Sequence, residues 1–214
     1  MSIRREDVLK CACDLYLSDG IDGFSMRKLA KCVGCTAPAL YRHFESKEDV
    51  IGEVVAEAYR QFAQYLYRAL EGRTPVERFV LAGRSYVDFA VEQAALYEII
   101  YLPRGILLAR EHDSLSEDQA CAIAQFWSDR VREMMDSGYL KEADPHEVSL
   151  TLWAHGHGMI SLFHRGLLGL DTEEDFRSLM SDSFLRVLSG LGTSRFGEIG
   201  DSLRRVRERG AVTA

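Results

Sequence analysis

The stretch SMRKLAKCVGCTAPALYRHFESK, residues 25–47, predicts two short helices joined by a tight turn. Ser25 is a favourable N-cap because its hydroxyl can accept a hydrogen bond from a free N–H of the first turn. The apolar residues that follow recur at spacings of three and four, which places them on one helical face: Met26, Leu29, Ala30 and Val33. Gly34 is expected to end this helix, because a residue without Cβ enters a left-handed turn at little cost.

The second helix is predicted to start at Thr36 as N-cap, with Pro38 in its first turn, where a missing N–H costs nothing. Leu40 and Phe44 are expected to pack against the first helix. The remaining side chains are expected to face outward: Ala37, Ala39, Tyr41 and His43. Small outward residues allow a helix to approach base edges in the major groove, and longer ones at its ends can reach the DNA.

This segment resembles the DNA-binding unit of TetR-type (tetracycline-repressor-like) regulators. Leu40-Tyr41-Arg42-His43-Phe44 followed by Lys47 matches their signature without an insertion, and Phe24-Ser25-Met26-Arg27-Lys28-Leu29-Ala30 matches upstream. The resemblance is strong over about residues 4–70 and holds only in pattern beyond them. It implies an all-α protein, with a three-helix DNA-binding head containing a helix-turn-helix and a C-terminal helical bundle for ligand binding and dimerisation.

The charge distribution supports a nucleic-acid partner. The whole chain of 214 residues carries a net charge of −7, but residues 24–47 contain five basic residues and one acidic residue, a local charge of +4. A phosphate backbone responds to the local patch rather than to the total charge. Arg4 and Arg5 precede the first helix, and either remain solvated or contact the DNA backbone.

The sequence also predicts a cytoplasmic location. It contains no uninterrupted apolar stretch of about 18 residues and no apolar run typical of a signal peptide at its N-terminus. Five cysteines, without a disulfide-scaffold pattern, are consistent with a reducing cytosol.

Helical spacing continues along the chain, and no alternating strand pattern is evident. Beyond the first helix within residues 1–23, helices are expected at about 47–70, 75–92, 94–102, 116–136, 145–165 and 172–188. Ser46 is predicted to cap the first of these, and Ser116, Asp144 and Thr172 later ones. The predicted organisation is a DNA-binding domain at 1–47, a ligand-binding and dimerisation domain at 48–192, and a polar tail at 193–214.

The candidate DNA-binding residues follow from the two short helices and from the resemblance. Tyr41 and Lys47 are interpreted as phosphate ligands, and the N-terminus of the Thr36 helix as a further one. The complete set is Ser25, Arg27, Lys28, Thr36, Ala37, Ala39, Tyr41, Arg42, His43 and Lys47.

The cysteines of this region allow two interpretations. Cys32 and Cys35 have a C-x-x-C spacing that fits a redox or zinc site, and Cys11 and Cys13 lie nearby in sequence. The favoured interpretation is that these thiols are small packing residues. No metal site and no cofactor is predicted, because His155 and His157 point to different sides of a helix and two further zinc ligands are missing for the C-x-x-C pair.

The C-terminal half contains the pattern W-x-x-x-H-G at Trp153 to Gly158, which is similar to a regulatory domain of one TetR branch. Gly156 and Gly158 weaken a helix, and therefore predict a close approach by another backbone or a ligand. Aromatic residues predict a ligand pocket between helices, with Arg84 and Arg130 as possible orienting groups. The candidate pocket residues are Tyr86, Phe89, Tyr97, Tyr101, Phe126, Trp127, Trp153 and His157.

Two recognition helices are needed to read a palindromic operator, so a homodimer is expected. The last two long helices offer apolar faces for a four-helix contact or for the core of the chain itself. The candidate interface residues are Leu152, Met159, Leu162, Phe163, Phe176, Leu179, Met180, Phe184 and Val187.

The predicted function is a sequence-specific DNA-binding transcriptional regulator, a repressor released from its operator by a small-molecule effector. Catalysis is not predicted, because no nucleophile–base pair, phosphate-binding loop or carboxylate pair has a convincing spacing. The alternatives are a helical enzyme that acts on a small metabolite and an effector-free DNA-binding or interaction protein.

Overall fold

The computed structural model describes residues 4–101 and 114–197, and within these ranges the regular structure is helical. The helices are α1 (Arg5–Gly23), α2 (Met26–Val33), α3 (Ala37–Leu40), α4 (Lys47–Tyr67), α5 (Pro75–Glu92), α6 (Ala94–Tyr101), α7 (Ser114–Asp136), α8 (Pro145–His164) and α9 (Glu173–Leu191). A 3-10 turn, Arg68–Glu71, follows α4. The all-α prediction is confirmed.

The described residues form two compact units. Unit 1 contains residues 4–66, 88–101 and 114–123, and unit 2 contains residues 67–87 and 124–197. These units are defined by packing, and the functional boundaries at 47 and 192 remain a prediction.

The two short helices of unit 1 form largely as the sequence predicts. The Ser25 hydroxyl accepts the Lys28 N–H at 3.3 Å, and Gly34 ends α2 with a positive φ of 76°. Thr36 precedes α3, but among the described residues no N–H donates to its hydroxyl, so the predicted side-chain cap is wrong. Its carbonyl oxygen instead accepts the N–H of Ala39 at 2.9 Å.

The long helix α4 begins with a reciprocal capping arrangement. The Ser46 hydroxyl accepts the Asp49 N–H at 3.0 Å, and the Asp49 carboxylate accepts the Glu45 N–H at 2.9 Å. This confirms Ser46 as the cap. One face of α4 is buried along its whole length, through Val50, Ile51, Val54, Val55, Ala58, Phe62 and Leu66.

Aromatic rings pack together on the far part of α4 in unit 1. The Phe62 and Phe89 rings stack with centroids 4.8 Å apart, and Tyr65 meets Phe89 edge-on at 5.4 Å. The Tyr65 hydroxyl donates to the Glu92 carboxylate at 2.8 Å. Aromatic pairs in these geometries contribute beyond the area they bury.

The core of unit 2 lies among α7, α8, α9 and the first part of α5. Its buried members are Val131, Met134, Met135, Leu140, Val148, Leu152, Leu188 and Phe196. Glu133 accepts hydrogen bonds from Arg78 at 2.9 Å and from Arg130 at 2.6 Å, which links α5 to α7.

Two of the predicted helix N-caps are confirmed in unit 2, and the one predicted for α7 is wrong. Asp144 and Thr172 cap α8 and α9 through their side chains. Ser116 lies inside α7, which begins at Ser114, so the predicted cap at Ser116 is wrong. The predicted end of the helix at about residue 102 lies outside the described residues.

The start of the predicted polar tail is packed rather than loose. Phe196 is buried, and the Arg195 guanidinium lies over the Tyr139 ring at 4.6 Å. The Thr193 hydroxyl donates to the Gly138 carbonyl at 2.7 Å. These contacts continue an isolated antiparallel bridge between Leu140 and Gly192.

The two glycines of α8 have different surroundings. A Cβ built at Gly156 would lie 2.9 Å from the Phe184 ring and 3.2 Å from the Tyr86 ring, whereas one at Gly158 would meet no atom within 4 Å. The neighbours of Gly156 are side chains, so the predicted approach of another backbone is wrong at both glycines among the described residues.

We expect Gly156→Val to reduce the free energy of unfolding by roughly 1–3 kcal/mol, because the added atoms overlap the Phe184 and Tyr86 rings. Gly158→Ala is the matched control, and should be neutral or stabilise by up to about 1 kcal/mol through helix propensity. Urea unfolding followed by tryptophan fluorescence measures the difference, since Trp127 and Trp153, the two tryptophans of the chain, both lie in unit 2. Equal midpoints for the two variants would contradict the close packing.

Candidate nucleic-acid interface

The recognition-helix region presents polar and cationic side chains to solvent. Leu40 and Phe44 are buried, which turns Tyr41 outward with 54% of its surface exposed. Arg42 and His43 are also exposed. The predicted division between packing and outward residues is therefore correct for this turn, and Tyr41 is accessible to a phosphate.

The helix α2 presents a second set of cations. Met26, Leu29 and Ala30 are buried, while Arg27 and Lys31 are exposed one turn apart. Lys31 was not among the predicted DNA-binding residues, and its spacing of four from Arg27 is the signal that identifies it.

Lys28 is engaged within the head itself. Its ammonium donates to the Asp19 carboxylate at 2.6 Å and to the Gly23 carbonyl at 2.9 Å. The hydrogen bond from Lys28, supported by one from Ser18, holds the pKa of the Asp19 carboxyl below its ordinary value. Lys28 therefore joins α2 to the end of α1, a role that the sequence analysis missed.

The other predicted contact residues lie at helix ends. Ser25 is half-buried and serves as the α2 cap, and Thr36 is exposed. Ala37 and Ala39 are half-buried, and their small side chains keep α3 narrow. Lys47 is half-buried in the first turn of α4, with its ammonium 3.9 Å from the Glu48 carboxylate.

The N-terminal arginines have intramolecular partners. Arg4 pairs with Asp7 at 2.8 Å. Arg5 pairs with Glu53 of α4, and its guanidinium lies 5.9 Å from the centre of the Phe44 ring. Burial raises the pKa of the Glu53 carboxyl, although Arg5 acts in the opposite direction. Arg5 thus holds α1 against α4 beneath the recognition helix.

The cysteines of the head do not all serve as small packing residues, which was the favoured interpretation. Cys11 of α1 and Cys32 of α2 form a disulfide with Cα atoms 6.0 Å apart. Cys32 is exposed, so its interpretation as a buried packing residue is wrong. Cys13 and Cys35 are free and half-buried, and the structure does not contain the alternative link between Cys32 and Cys35.

The predicted ligand residues fall into both units. Phe89, Tyr97 and Tyr101 lie in unit 1, where Phe89 and Tyr97 are buried. In unit 2, the Trp127 ring meets Tyr86 edge-on at 6.0 Å and Phe126 at 5.8 Å.

Trp153 and His157 do not belong to such an interior group. Their rings stack at 5.4 Å on α8, and Trp153 is 37% exposed. Burial, with a smaller contribution from His164, lowers the pKa of His157 below its ordinary value. Their assignment to an interior pocket is therefore not supported by their location.

A shallow groove of about 470 Å³ is present in unit 2, but it contains none of the predicted ligand residues. It lies where the connection from α8 enters α9, and it is lined by Gly169, Leu170, Asp171, Asp175, Ser178, Leu179 and Asp182.

The predicted interface residues are divided between the core and the surface. Leu152, Phe176 and Met180 are buried within the chain, so they do not form an accessible face. Phe163 stacks on Phe176 at 4.1 Å, and Leu162 is exposed. Met159, Leu179, Phe184 and Val187 are half-buried. Exposed apolar residues of α8 and its C-terminal connection that the sequence analysis missed are Leu150 and Leu167.

Within the described ranges, no group of three or more metal-ligating side chains is close enough to hold an ion. None of the helices described combines the length and the apolar character needed to cross a bilayer.

A helix-turn-helix with an outward tyrosine and a cationic rim, attached to a helical body, defines the class of helical DNA-binding regulators. Residues 8–54 match the family model of bacterial regulatory proteins of the tetR family, and residues 79–183 match the tetracyclin repressor-like C-terminal domain. The chain belongs to the TetR family and is a DNA-binding transcriptional regulator. The resemblance noted in the sequence is confirmed for both halves, and the family consists of regulators rather than enzymes.

Known proteins show similarity over most of the chain. It is 22% identical to YobS of Bacillus subtilis, an uncharacterized HTH-type transcriptional regulator, over 89% of this chain and 94% of that protein. It is 28% identical to the HTH-type transcriptional repressor KstR2 of Mycobacterium tuberculosis, over 64% of this chain and 70% of that protein. The fold is similar to that of AibR in complex with isovaleryl coenzyme A and operator DNA, with a TM-score of 0.67, 20% identity and coverage of 82% and 94% of the two chains.

Proposed function

We propose that this protein is a cytoplasmic, homodimeric repressor that binds a palindromic operator and releases it when a small molecule binds its helical body. The observation that carries the operator-binding part is the exposed Tyr41 beside exposed Arg42 and His43, in the turn that follows α3 and is anchored by the buried Leu40 and Phe44. Arg27, Lys31 and Lys47 add cations on either side of this helix. Such contacts fix a protein on the phosphate backbone.

The reading of bases is expected to be sparse. Ala37 and Ala39 are half-buried and offer at most a methyl contact with thymine. Arg27, Thr36 and His43 are exposed and can donate hydrogen bonds to base edges. Specificity then depends on a few hydrogen bonds and on the spacing of the two heads in a dimer, about 34 Å for one turn of B-DNA.

The effector is proposed to bind in the helical body near Tyr86, Phe126 and Trp127. Arg130 supports this location, because its guanidinium lies 5.1 Å from the Phe126 ring centre and its buried Nε lacks a hydrogen-bond partner among the described residues. A free buried donor beside aromatic rings suits a ligand with an apolar part and an anionic or carbonyl acceptor. Acyl-coenzyme A thioesters are the first class to test, because AibR was solved with isovaleryl coenzyme A.

Dimerisation is proposed to use the exposed apolar side chains of α8 together with α9. Leu150, Trp153 and Leu162 are large and exposed on α8. Their burial against a second copy would remove apolar surface from water and contribute about 25 cal/mol per Å². Analytical ultracentrifugation measures this, and a monomer at all concentrations would contradict it.

We expect Tyr41→Ala and Lys47→Ala each to weaken operator binding roughly 10–100-fold, because each variant removes one phosphate contact from both heads of a dimer. The weakening should be similar for all duplex sequences. In Lys47→Ala the slope of log affinity against log salt should also fall by about 2, because each head loses one cation, whereas Tyr41→Ala removes no charge and should keep the wild-type slope. The operator is first selected from a random duplex library, and affinity is then measured by fluorescence anisotropy across a salt series.

Tyr67→Ala and Lys141→Ala are the matched controls for these two variants. Tyr67, the last residue of α4, is 62% exposed, and Lys141 donates to the Gly190 carbonyl; both residues belong to unit 2. Both controls should retain wild-type affinity. Wild-type affinity in Tyr41→Ala, or a wild-type salt slope in Lys47→Ala, would show that the phosphate ligand concerned is misassigned.

A further inference from the structure

The disulfide of the head joins two helices that are separated along the chain. Cys11 lies in the middle of α1, and Cys32 lies in the last turn of α2, 21 residues later. The loop it closes contains the second half of α1, the turn at residues 24–25 and most of α2. A cross-link of this size restricts the unfolded chain substantially.

The disulfide lies along the same side of α2 as the Lys28 contacts. Lys28 and Cys32 are one helical turn apart, and their partners on α1 are Asp19 and Cys11. Leu29, three residues before Cys32 and therefore its neighbour on the helix surface, is completely buried. The position of α2 on α1 is thus set by three neighbouring residues of α2, through burial, an ion pair and a disulfide.

These attachments matter because α2 and α3 are short. They contain 8 and 4 residues, and isolated helices of this length are not stable in water. The orientation of α3 depends on that of α2, because only the short turn at residues 34–36 connects the two helices. Fixing α2 to α1 therefore fixes the surface that carries Arg27 and Lys31 as well.

We propose that Cys11 and Cys32 form a reversible oxidation site, whose disulfide clamps α1 to α2 and preserves the operator-binding head under oxidising conditions. This proposal rests on the proposed operator binding. The modification is made by a peroxide and removed by low-molecular-weight thiols of the cell.

The chemistry balances with one peroxide for each disulfide. The exposed Cys32 Sγ attacks one peroxide oxygen, the O–O bond breaks, and a sulfenic acid and one water result. Cys11 Sγ then attacks the Cys32 sulfur, the S–O bond breaks, and the second water leaves with the Cys11 proton. The two sulfurs together lose two electrons, and hydrogen peroxide gains them. Two molecules of a thiol reverse the step through a mixed disulfide.

The remaining cysteines are less suited to this reaction. Burial, with a smaller contribution from Asp14, raises the pKa of the Cys13 thiol to about 11, so it stays protonated at neutral pH. Cys35 is half-buried beyond the Gly34 turn. Cys121 is exposed, so a Cys121→Ser background removes its reaction with peroxide from the experiment.

The experiment treats full-length Cys121→Ser protein with hydrogen peroxide, and a second sample with dithiothreitol. Peptide mass spectrometry without reduction should identify a Cys11–Cys32 link in the first sample. Its melting temperature should be higher by about 5–10 °C, since the cross-link restricts the unfolded chain. The oxidised protein should also keep operator affinity at a temperature at which the reduced protein has lost it.

Single Cys→Ser substitutions show which thiols form the linked peptide. Cys11→Ser and Cys32→Ser should each abolish the linked peptide and the melting shift, whereas Cys13→Ser and Cys35→Ser should retain both. A Cys32–Cys35 peptide, an unchanged melting temperature, or release of the operator by peroxide would each overturn the proposal. If the reduced protein bound no duplex at 25 °C while the link and the melting shift were observed, the proposed operator binding would fail instead, and the oxidation site would stand.

Discussion

Replacing Leu40 with alanine is expected to reduce the stability of the DNA-binding head by roughly 2–5 kcal/mol and to weaken operator binding at least tenfold. Leu40 is completely buried and lies at the end of the four-residue helix α3. A helix this short is held by packing rather than by its own hydrogen bonds. Removal of the side chain leaves a cavity and frees the segment that carries Tyr41.

The change is measured by urea unfolding followed by circular dichroism, and by anisotropy with the selected operator. Leu70→Ala is the matched control, because the same side chain is 58% exposed there, and its change should stay within about 0.5 kcal/mol. A stable Leu40→Ala protein with wild-type operator affinity would show that α3 does not depend on this anchor.

Replacing Phe89 with alanine is expected to cost roughly 3–5 kcal/mol in the free energy of unfolding. Phe89 is completely buried, stacks on Phe62, and contacts the Tyr65 ring edge-on. The Tyr97 ring lies 6.4 Å away. Truncation therefore removes both the buried area and three aromatic contacts, and these rings cannot all move into the space.

Urea unfolding by circular dichroism measures this loss as well. Tyr67→Ala removes an aromatic side chain of similar size from an exposed position, and it should change stability by less than about 0.5 kcal/mol. A loss below about 1 kcal/mol in Phe89→Ala would mean that the neighbouring rings collapse into the cavity.

Local sequence signals were sufficient to predict most of the helix-turn-helix. Ser25 and Gly34 bracket α2 as expected, because capping and positive φ depend on a few consecutive residues. The apolar spacing of Leu40 and Phe44 correctly placed both in the interior and Tyr41 outside. The same local reasoning failed at Thr36, since an N-cap residue can use its carbonyl oxygen without using its hydroxyl.

Contacts between distant residues were not predictable in this way. The C-x-x-C spacing suggests Cys35 as the partner of Cys32, but the partner in the structure is Cys11, on another helix. Lys28 was grouped with the DNA-binding cations, although Asp19 engages its ammonium. Trp153 was assigned to a pocket, and its exposure on α8 depends on how that helix is rotated within unit 2.

The sequence by itself determined the helical class, the family and the outward tyrosine of the recognition helix. These features depend on periodicity, on capping and on a contiguous motif, which are properties of residues a few positions apart. Only the tertiary structure decided which cations remain available to DNA, which cysteines pair, and which apolar residues of α8 and α9 are accessible. Those properties depend on distances between separate helices, and such distances are set by packing over the whole unit rather than by any one segment.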